Sequence, residues 1–185
     1  MYVSQLAAAA QGGPDLFVLV GPETDVGVFM AQRKYPQGRS RLKLWKKALP
    51  NGSAQVELVS HMALPTARLS TSQAVRMLRA STDLKLPAIL TNAVRYATPD
   101  GAATADVVDA ARALSSLDTL TDLQPNGQGW LKSGVAMHEL AHEIVRDAGA
   151  GTAVARELLD NTQRLAEACA LNPEHDLGWG QPRVP

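Results

Sequence analysis

Residues 55–92 read QVELVSHMALPTARLSTSQAVRMLRASTDLKLPAILTN, and this stretch determines the fold class that the sequence predicts. It opens with a strand candidate at 55–61 and closes with another at 86–92, where the missing N–H of Pro87 is tolerated at the strand entrance. Between them, Ser70 followed by Gln73 is a capping-box pattern that predicts the start of a helix. A strand, a helix and a strand in this order predict a β-α-β unit with parallel strands.

The flanking sequence extends the same alternation. Residues 15–21, DLFVLVG, form a short apolar run typical of a buried parallel strand, and apolar residues at helical spacing predict an amphipathic helix at 39–49. Thr104 is a candidate cap for a later helix, and two more helices are predicted at 133–146 and 153–170.

These elements predict an α/β fold with two parts of one domain. The β/α portion covers residues 1–122, and a C-terminal helical segment covers 123–185, with the loop at 124–129 as the best internal boundary. Three strands are few for an independent sheet, so we expect the chain to be part of a larger unit.

The composition excludes several classes of protein. The 185 residues carry 18 Lys and Arg against 18 Asp and Glu, and 45% of them are hydrophobic, which argues against charge-driven disorder and against a strongly basic nucleic-acid binder. No apolar run approaches the roughly 20 residues of a membrane helix, and residues 1–13 have no basic segment typical of a signal peptide. The single cysteine, Cys169, cannot form an internal disulfide and is interpreted as a small helix-core residue. We therefore expect a soluble, cytoplasmic chain.

The segment 138–142, HELAH, matches the HExxH pattern of zinc hydrolases. On a helix His138 and His142 share one face and can bind Zn²⁺ together, while Glu139 can act as general base. Candidates for a third ligand are Glu157, Glu167 and His175.

An ordinary amphipathic helix explains the same residues without a metal. Met137, Leu140, Ala141 and Ile144 form a sufficient core stripe, with the histidines on its flanks. The continuation also lacks the glycine and histidine of the metzincin pattern.

A basic stretch at 33–47 is the second candidate site, because clustered cations neutralise phosphates and release counterions. Its proposed nucleic-acid contacts are Arg39, Lys43, Lys46 and Lys47. The alternative is a solvated helix face with Trp45 on its apolar side.

Several blocks, taken in order, resemble the PHP (polymerase and histidinol phosphatase) domain of bacterial C-family DNA polymerases, the alpha subunits of DNA polymerase III. Residues 56–61, VELVSH, resemble the family's "LEIxxHG" strand, and residues 86–96, LPAILTNAVRY, resemble "LPxVATNDVHY". Upstream, residues 16–27 are similar to "LILLSG…DVG" and match it at 25–27.

Downstream blocks continue the resemblance. Residues 131–137 are similar to the family's "LRSxxEM" helix start, and 153–177 to "ALxNTxEIAxRCxxxL". In the second block the matching positions are Asn161, Thr162, Ala166 and Cys169. The alanine-rich composition and the turn at 96–99, YATP, resemble actinobacterial alpha subunits, including the error-prone type.

The resemblance implies a partial, distorted β/α barrel of PHP type whose first third, with its "HxHSxYS" strand, is absent. Active PHP domains hold a metal cluster that hydrolyses phosphoesters, and the family's late "DxH" ligand pair falls here on Ala93 and Arg95. Only His61 remains as a vestigial ligand position. The resemblance thus implies a degenerate metal site with no metal and no cofactor, and it places HELAH on a helix that carries no metal in the family.

The function that the resemblance implies is structural. The parent family is a nucleotidyltransferase, a DNA-directed DNA polymerase of replication, translesion synthesis and DNA repair, but its palm residues are not in this chain. We expect an inactive docking module whose partners are the rest of the polymerase polypeptide or other replication subunits, such as the proofreading exonuclease of relatives. The chain would contact DNA as part of the parent protein, and no contact with a membrane is expected.

Overall fold

A computed structural model describes residues 16–121 and 123–180, together with Gln5 and Ala8. Three short strands, β1 (Val18–Val20), β2 (Ala54–Leu58) and β3 (Ala88–Leu90), form an open parallel sheet in the order β1-β2-β3. Val20 pairs with Val56, and Val56 also pairs with Ala88. The mixed α/β class and the parallel sheet predicted from 55–92 are confirmed.

Helices connect and cover the strands. Helices α1 and α2 lie between β1 and β2 in the chain, α3 lies between β2 and β3, and α4 to α7 follow β3. Their bounds are α1 Asp25–Ala31, α2 Tyr35–Ala48, α3 Thr71–Leu84, α4 Ala102–Arg112, α5 Gly134–Ala148, α6 Thr152–Ala168 and α7 Pro173–Leu177. Short 3₁₀ turns stand at Pro99–Gly101 and Leu117–Thr119.

One hydrophobic core crosses the boundary predicted near residue 122. Val56 and Leu58 of β2, Leu140 and Ile144 of α5, and Leu158 of α6 are all nearly inaccessible to solvent and belong to the same cluster. The C-terminal helices therefore pack directly on the sheet and on α3.

The capping pattern of α3, Ser70 and Gln73, also contributes to the contact with α1. Ser70 Oγ accepts from the backbone N–H of Gln73 at 3.2 Å, as the pattern predicts. The Gln73 side chain then accepts from the N–H of Leu69 at 2.7 Å and donates to the carbonyl oxygen of Gly27 at 2.8 Å. Because Gln73 is fully buried, these bonds hold the two helices in one arrangement.

Helix α6 covers the outer edge of β3. The hydroxyl of Thr162 accepts from the N–H of Leu90 at 2.9 Å, and the amide of Asn161 donates to the carbonyl oxygen of Ala88 at 2.8 Å. Side chains of a helix thus satisfy backbone groups that a fourth strand would otherwise bind.

Some local predictions were wrong. No helix was expected at 25–31, α4 begins at Ala102 after a 3₁₀ turn rather than at a Thr104 cap, and Cys169 is exposed at the end of α6 rather than in the core. The predicted strand at 15–21 begins with Asp15, which lies outside the described residues, as do most of residues 1–13. Within the described part of the chain, no helix has both the length and the apolar content that crossing a membrane requires.

Candidate functional site

An open cleft of about 610 Å³ lies at the carboxyl ends of the three strands. Its walls come from Gly21–Thr24 after β1, from Val59 and His61 after β2, and from Ala93 and Arg95 after β3. In open parallel sheets this edge is where ligands bind, because the loops after successive strands meet there. The cleft is therefore the candidate functional site.

His61 is the most buried titratable group at the cleft, with 1% of its surface exposed. Its Nε2 lies 2.9 Å from the carbonyl oxygen of Asn92. Because a carbonyl oxygen only accepts, Nε2 carries the hydrogen and Nδ1 has the lone pair, which no described group contacts by a hydrogen bond. Burial lowers the pKa of His61; the hydrogen bond with Asn92 opposes this effect and the Lys132 charge adds to it, so the neutral ring is favoured.

A polar network holds the loop at 124–132 against His61 and Asn92. The Asn92 amide donates to the carbonyl oxygens of Gln128 and Trp130, at 2.9 and 2.6 Å. Lys132 Nζ donates to Asn92 Oδ1 at 3.0 Å, and burial lowers the pKa of this lysine. These bonds fix the loop as one wall of the site.

Glu57 projects from β2 towards Gly21. Its Oε1 accepts from the Thr91 hydroxyl at 2.7 Å, while a Cβ built on Gly21 would lie 2.2 Å from its Oε2. Glycine at position 21 therefore leaves the space that the carboxylate occupies.

The exposed charges at the cleft form two ion pairs. One nitrogen of the Arg95 guanidinium bonds both oxygens of Asp109, at 2.7 and 2.8 Å, and Arg68 pairs with Glu23. At the same rim, Ala93 has a φ of 40°. Positive φ at a residue with a Cβ costs free energy and often marks a functional site.

The cleft does not fit a metal cluster of the PHP type. Ala93 offers no donor atom and Arg95 contributes a fixed positive charge, so of the three positions only His61, through the lone pair of its Nδ1, could bind a metal. Across the described residues, no group of three or more His, Cys, Asp or Glu side chains is arranged to hold a metal ion. The structure places His61, Ala93 and Arg95 at one cleft.

The HELAH residues lie elsewhere. His138 and His142 are on α5, with ring centroids 4.5 Å apart, and line a separate pocket of about 450 Å³ with Thr152, Ala153 and Arg156. Glu139 is exposed on the same helix and is not part of this pocket lining. None of the proposed third ligands, Glu157, Glu167 and His175, lines the pocket.

The basic stretch lies on α2 and is partly engaged within the fold. Arg39 pairs with Asp83 at 3.2 Å, and Lys46 donates to the carbonyl oxygen of Leu84 at the end of α3. Lys43 and Lys47 are exposed. Trp45 is half-buried against the core and donates to Asp25, which agrees with its prediction as an apolar-face residue. Nucleic-acid binding by this helix stays a prediction.

The sequence patterns do not single out Glu57 and Asp109, which line the cleft, or Asn92 and Lys132, which belong to the polar network beside it. Glu57 and Asn92 were read only as parts of strand patterns, and Asp109 and Lys132 only as parts of helix or helix-start patterns. One signal could have found the first two: they lie within or just after predicted parallel strands, whose carboxyl ends converge. No model of a protein family matches the chain, and no curated protein matches it.

Proposed function

We propose that this chain is the C-terminal part of a degenerate, non-catalytic PHP domain from a DNA polymerase III alpha-type protein. It would form part of a distorted β/α barrel and serve as a structural or docking module in cytoplasmic DNA replication or translesion synthesis. The parallel strands and their helices occur in the chain order of the blocks that carry the resemblance.

The observation that carries the proposal is the ion pair of Arg95 with Asp109 beside Ala93. The resemblance assigns a metal-binding "DxH" pair to positions 93 and 95. Here one position has a methyl group, and the other has a guanidinium bonded to both oxygens of one carboxylate. A fixed cation in this place repels metal ions, so the cleft favours an architectural role over phosphoester hydrolysis.

Residues shared with the family pattern have architectural contacts in this chain. A Cβ on Gly27 of the "DVG" block would lie 2.3 Å from the carbonyl oxygen of Pro22, so only glycine allows α1 to pack there. Asn161 and Thr162 of the last block bind the edge of β3. These contacts support the reading of the blocks as determinants of fold.

The surface also has exposed apolar side chains that could bind another polypeptide. Val107 and Val108 on α4 are each about half exposed, at 53% and 50%, and Leu114 is 95% exposed. Contiguous exposed apolar surface is typical of sites that bind other chains, and Val107 and Val108 are adjacent in the chain. The remaining polymerase polypeptide is the proposed occupant.

A phosphoesterase assay tests the proposal. We expect the wild-type chain to show no hydrolysis of p-nitrophenyl phosphate with Mn²⁺ or Zn²⁺, measured by release of nitrophenolate. The double variant Ala93→Asp/Arg95→His restores the ligand pair and should bind Mn²⁺ more tightly than the wild type in calorimetry. Metal-dependent hydrolysis by the wild type that disappears in His61→Ala would contradict a non-catalytic role.

The DNA on either side of the segment that encodes these 185 residues tests the assignment to a polymerase. We expect an "HxH" strand upstream and the carboxylates of a polymerase palm downstream. A gene whose flanking sequence encodes neither would contradict the assignment to a polymerase.

A further inference from the structure

The two histidines of α5 lie on a flank of the helix that the core does not use. Leu140, Ala141 and Ile144 face the core, whereas His138 is exposed and His142 is half-buried. The pocket that they line shares no described residue with the carboxyl-edge cleft. The proposed scaffold role therefore leaves this pair unexplained.

The geometry of the pair suits a chelate. Two imidazoles that bind one ion at Zn–N distances of about 2.0–2.1 Å must be close neighbours, with ring centroids on the order of 5 Å apart. The centroids of His138 and His142 are 4.5 Å apart. The rings are tilted by 53° and so do not stack face to face.

The backbone under the pair is rigid at both ends. Ser133 caps the start of α5 by accepting from the N–H of Ala136 at 3.3 Å, and Gly149 ends the helix in the left-handed conformation. The buried stripe of the helix fixes its rotation against α3 and α6. Little further ordering is then needed when an ion binds, because the two side chains are already neighbours.

We propose that His138 and His142 form a two-histidine site for a divalent transition metal ion of the Zn²⁺, Ni²⁺ or Cu²⁺ class. Imidazole nitrogen binds these ions, whereas Mg²⁺ and Ca²⁺ prefer oxygen donors. The described residues add no third His, Cys, Asp or Glu to the pair. The ion is exchangeable and keeps coordination positions open to water or an external ligand, unlike the three-ligand site of a zinc hydrolase.

Arg156 is the neighbour that tunes this site. It lines the same pocket from the first half of α6, and its positive charge opposes the binding of a cation. Replacement of Arg156 by glutamine should therefore strengthen metal binding. A site that did not involve this pocket would not respond to that change.

Calorimetric titration of the tag-free, full-length chain with NiCl₂ and ZnCl₂ at pH 7.5 tests the proposal. We expect one ion per chain, an affinity lower by about tenfold or more in His138→Ala and in His142→Gln, and tighter binding in Arg156→Gln. The control His175→Ala removes an exposed histidine outside α5 and should bind like the wild type. MgCl₂ should give no binding heat.

Circular dichroism of each variant establishes that its helices are intact, as expected for side chains at the surface. Wild-type affinity in the double variant His138→Ala/His142→Gln would overturn the proposal. An affinity that falls equally in His175→Ala would also overturn it, since the ion would then bind histidines without regard to α5.

Discussion

Glu57 and Gly21 occupy the cleft as a matched pair. An alanine at position 21 would place its Cβ 2.2 Å from Glu57 Oε2, so the end of this side chain would have to shift, which disturbs the bond of its Oε1 with the Thr91 hydroxyl. We expect Gly21→Ala to lower the free energy of unfolding by about 1–3 kcal/mol, as overpacking does in other tightly packed sites. Urea denaturation measures this change.

Gly134→Ala is the matched control for this substitution. Gly134 is the first residue of α5, and no neighbouring atom lies within 4 Å of a Cβ built there. The free energy of unfolding should stay constant or rise by up to about 1 kcal/mol. Equal effects of Gly21→Ala and Gly134→Ala would show that the Glu57 carboxylate does not depend on the space at position 21.

His61 makes the stability of the chain depend on pH. Its pKa in the folded state is below the ordinary value of 6.5, chiefly because of burial, so the unfolded state binds the proton first. The stabilisation is complete above about pH 6.5 and is lost as the pH falls towards the folded pKa, by about 1.4 kcal/mol for each unit between the two pKa values. We expect the free energy of unfolding to decrease from pH 7.5 to pH 5.

The variant His61→Gln keeps a donor for the Asn92 carbonyl but does not titrate. Its free energy of unfolding should change less than that of the wild type over the same pH range. His175→Gln removes an exposed histidine and should retain the wild-type dependence. Parallel curves for His61→Gln and the wild type would mean that His61 is not the group responsible.

At the scale of elements, the Thr162 hydroxyl is one of the two side-chain groups of α6 that bind the edge of β3. Thr162→Val preserves the shape of the side chain but leaves the N–H of Leu90, on a fully buried strand, without its acceptor. An unsatisfied buried N–H costs about 1–3 kcal/mol, and we expect Thr162→Val to lower the free energy of unfolding by that amount. Hydrogen exchange at the Leu90 amide should accelerate in the same variant.

Thr82→Val is the control at this scale. Thr82 also lies in a helix and donates to the carbonyl oxygen four residues earlier, but its hydroxyl contacts no strand. Its substitution should change the free energy of unfolding by less than about 0.5 kcal/mol. A comparable loss in both variants would assign the effect to helix propensity rather than to the edge of β3.

Across the whole molecule, α5 joins the C-terminal helices to the sheet through a shared core. Ile144 is fully buried in this core, so Ile144→Ala should lower the free energy of unfolding by about 2–5 kcal/mol. The transition should remain single and should shift equally in Trp fluorescence and in far-ultraviolet circular dichroism. This result would identify 123–180 as part of the same cooperative unit as the sheet.

Val135→Ala provides the comparison on the same helix. Val135 is 71% exposed, so its truncation should alter the free energy of unfolding by about 0.5 kcal/mol or less. Two separate transitions in Ile144→Ala, with the fluorescence of the N-terminal part unchanged, would show that the two segments unfold independently.

The fold class was predictable because its determinants are local. The apolar runs, the capping pattern at Ser70 and the helical spacing on α2 and α5 each act over a few residues, and the structure follows them. Helix α1 has a local cap, because Thr24 Oγ1 accepts from the N–H of Gly27 at 3.4 Å, but much of its support is tertiary: Gln73 binds the Gly27 carbonyl from 46 residues away. Cys169 was misplaced because the helix ends before it.

Residues of the candidate site could be predicted from the sequence only where a block that resembles the PHP family assigns a ligand position. His61, Ala93 and Arg95 came from one alignment of blocks and share one cleft. The partners that define their chemistry, Asp109 for Arg95 and Asn92 for His61, are separated from them by 14 and 31 residues, distances over which no local pattern operates. Pairings of this kind are decided by how the loops meet at the sheet edge.

The binding of β3 by Asn161 and Thr162 has a consequence for aggregation. A buried strand with unpaired N–H and C=O groups is a template on which strands of other chains can assemble. In this chain α6 covers the free edge of β3. The contact between α6 and β3 therefore protects the protein from self-association as well as stabilising the fold. Conditions that release α6 before the rest of the chain unfolds should therefore promote aggregates that grow from β3.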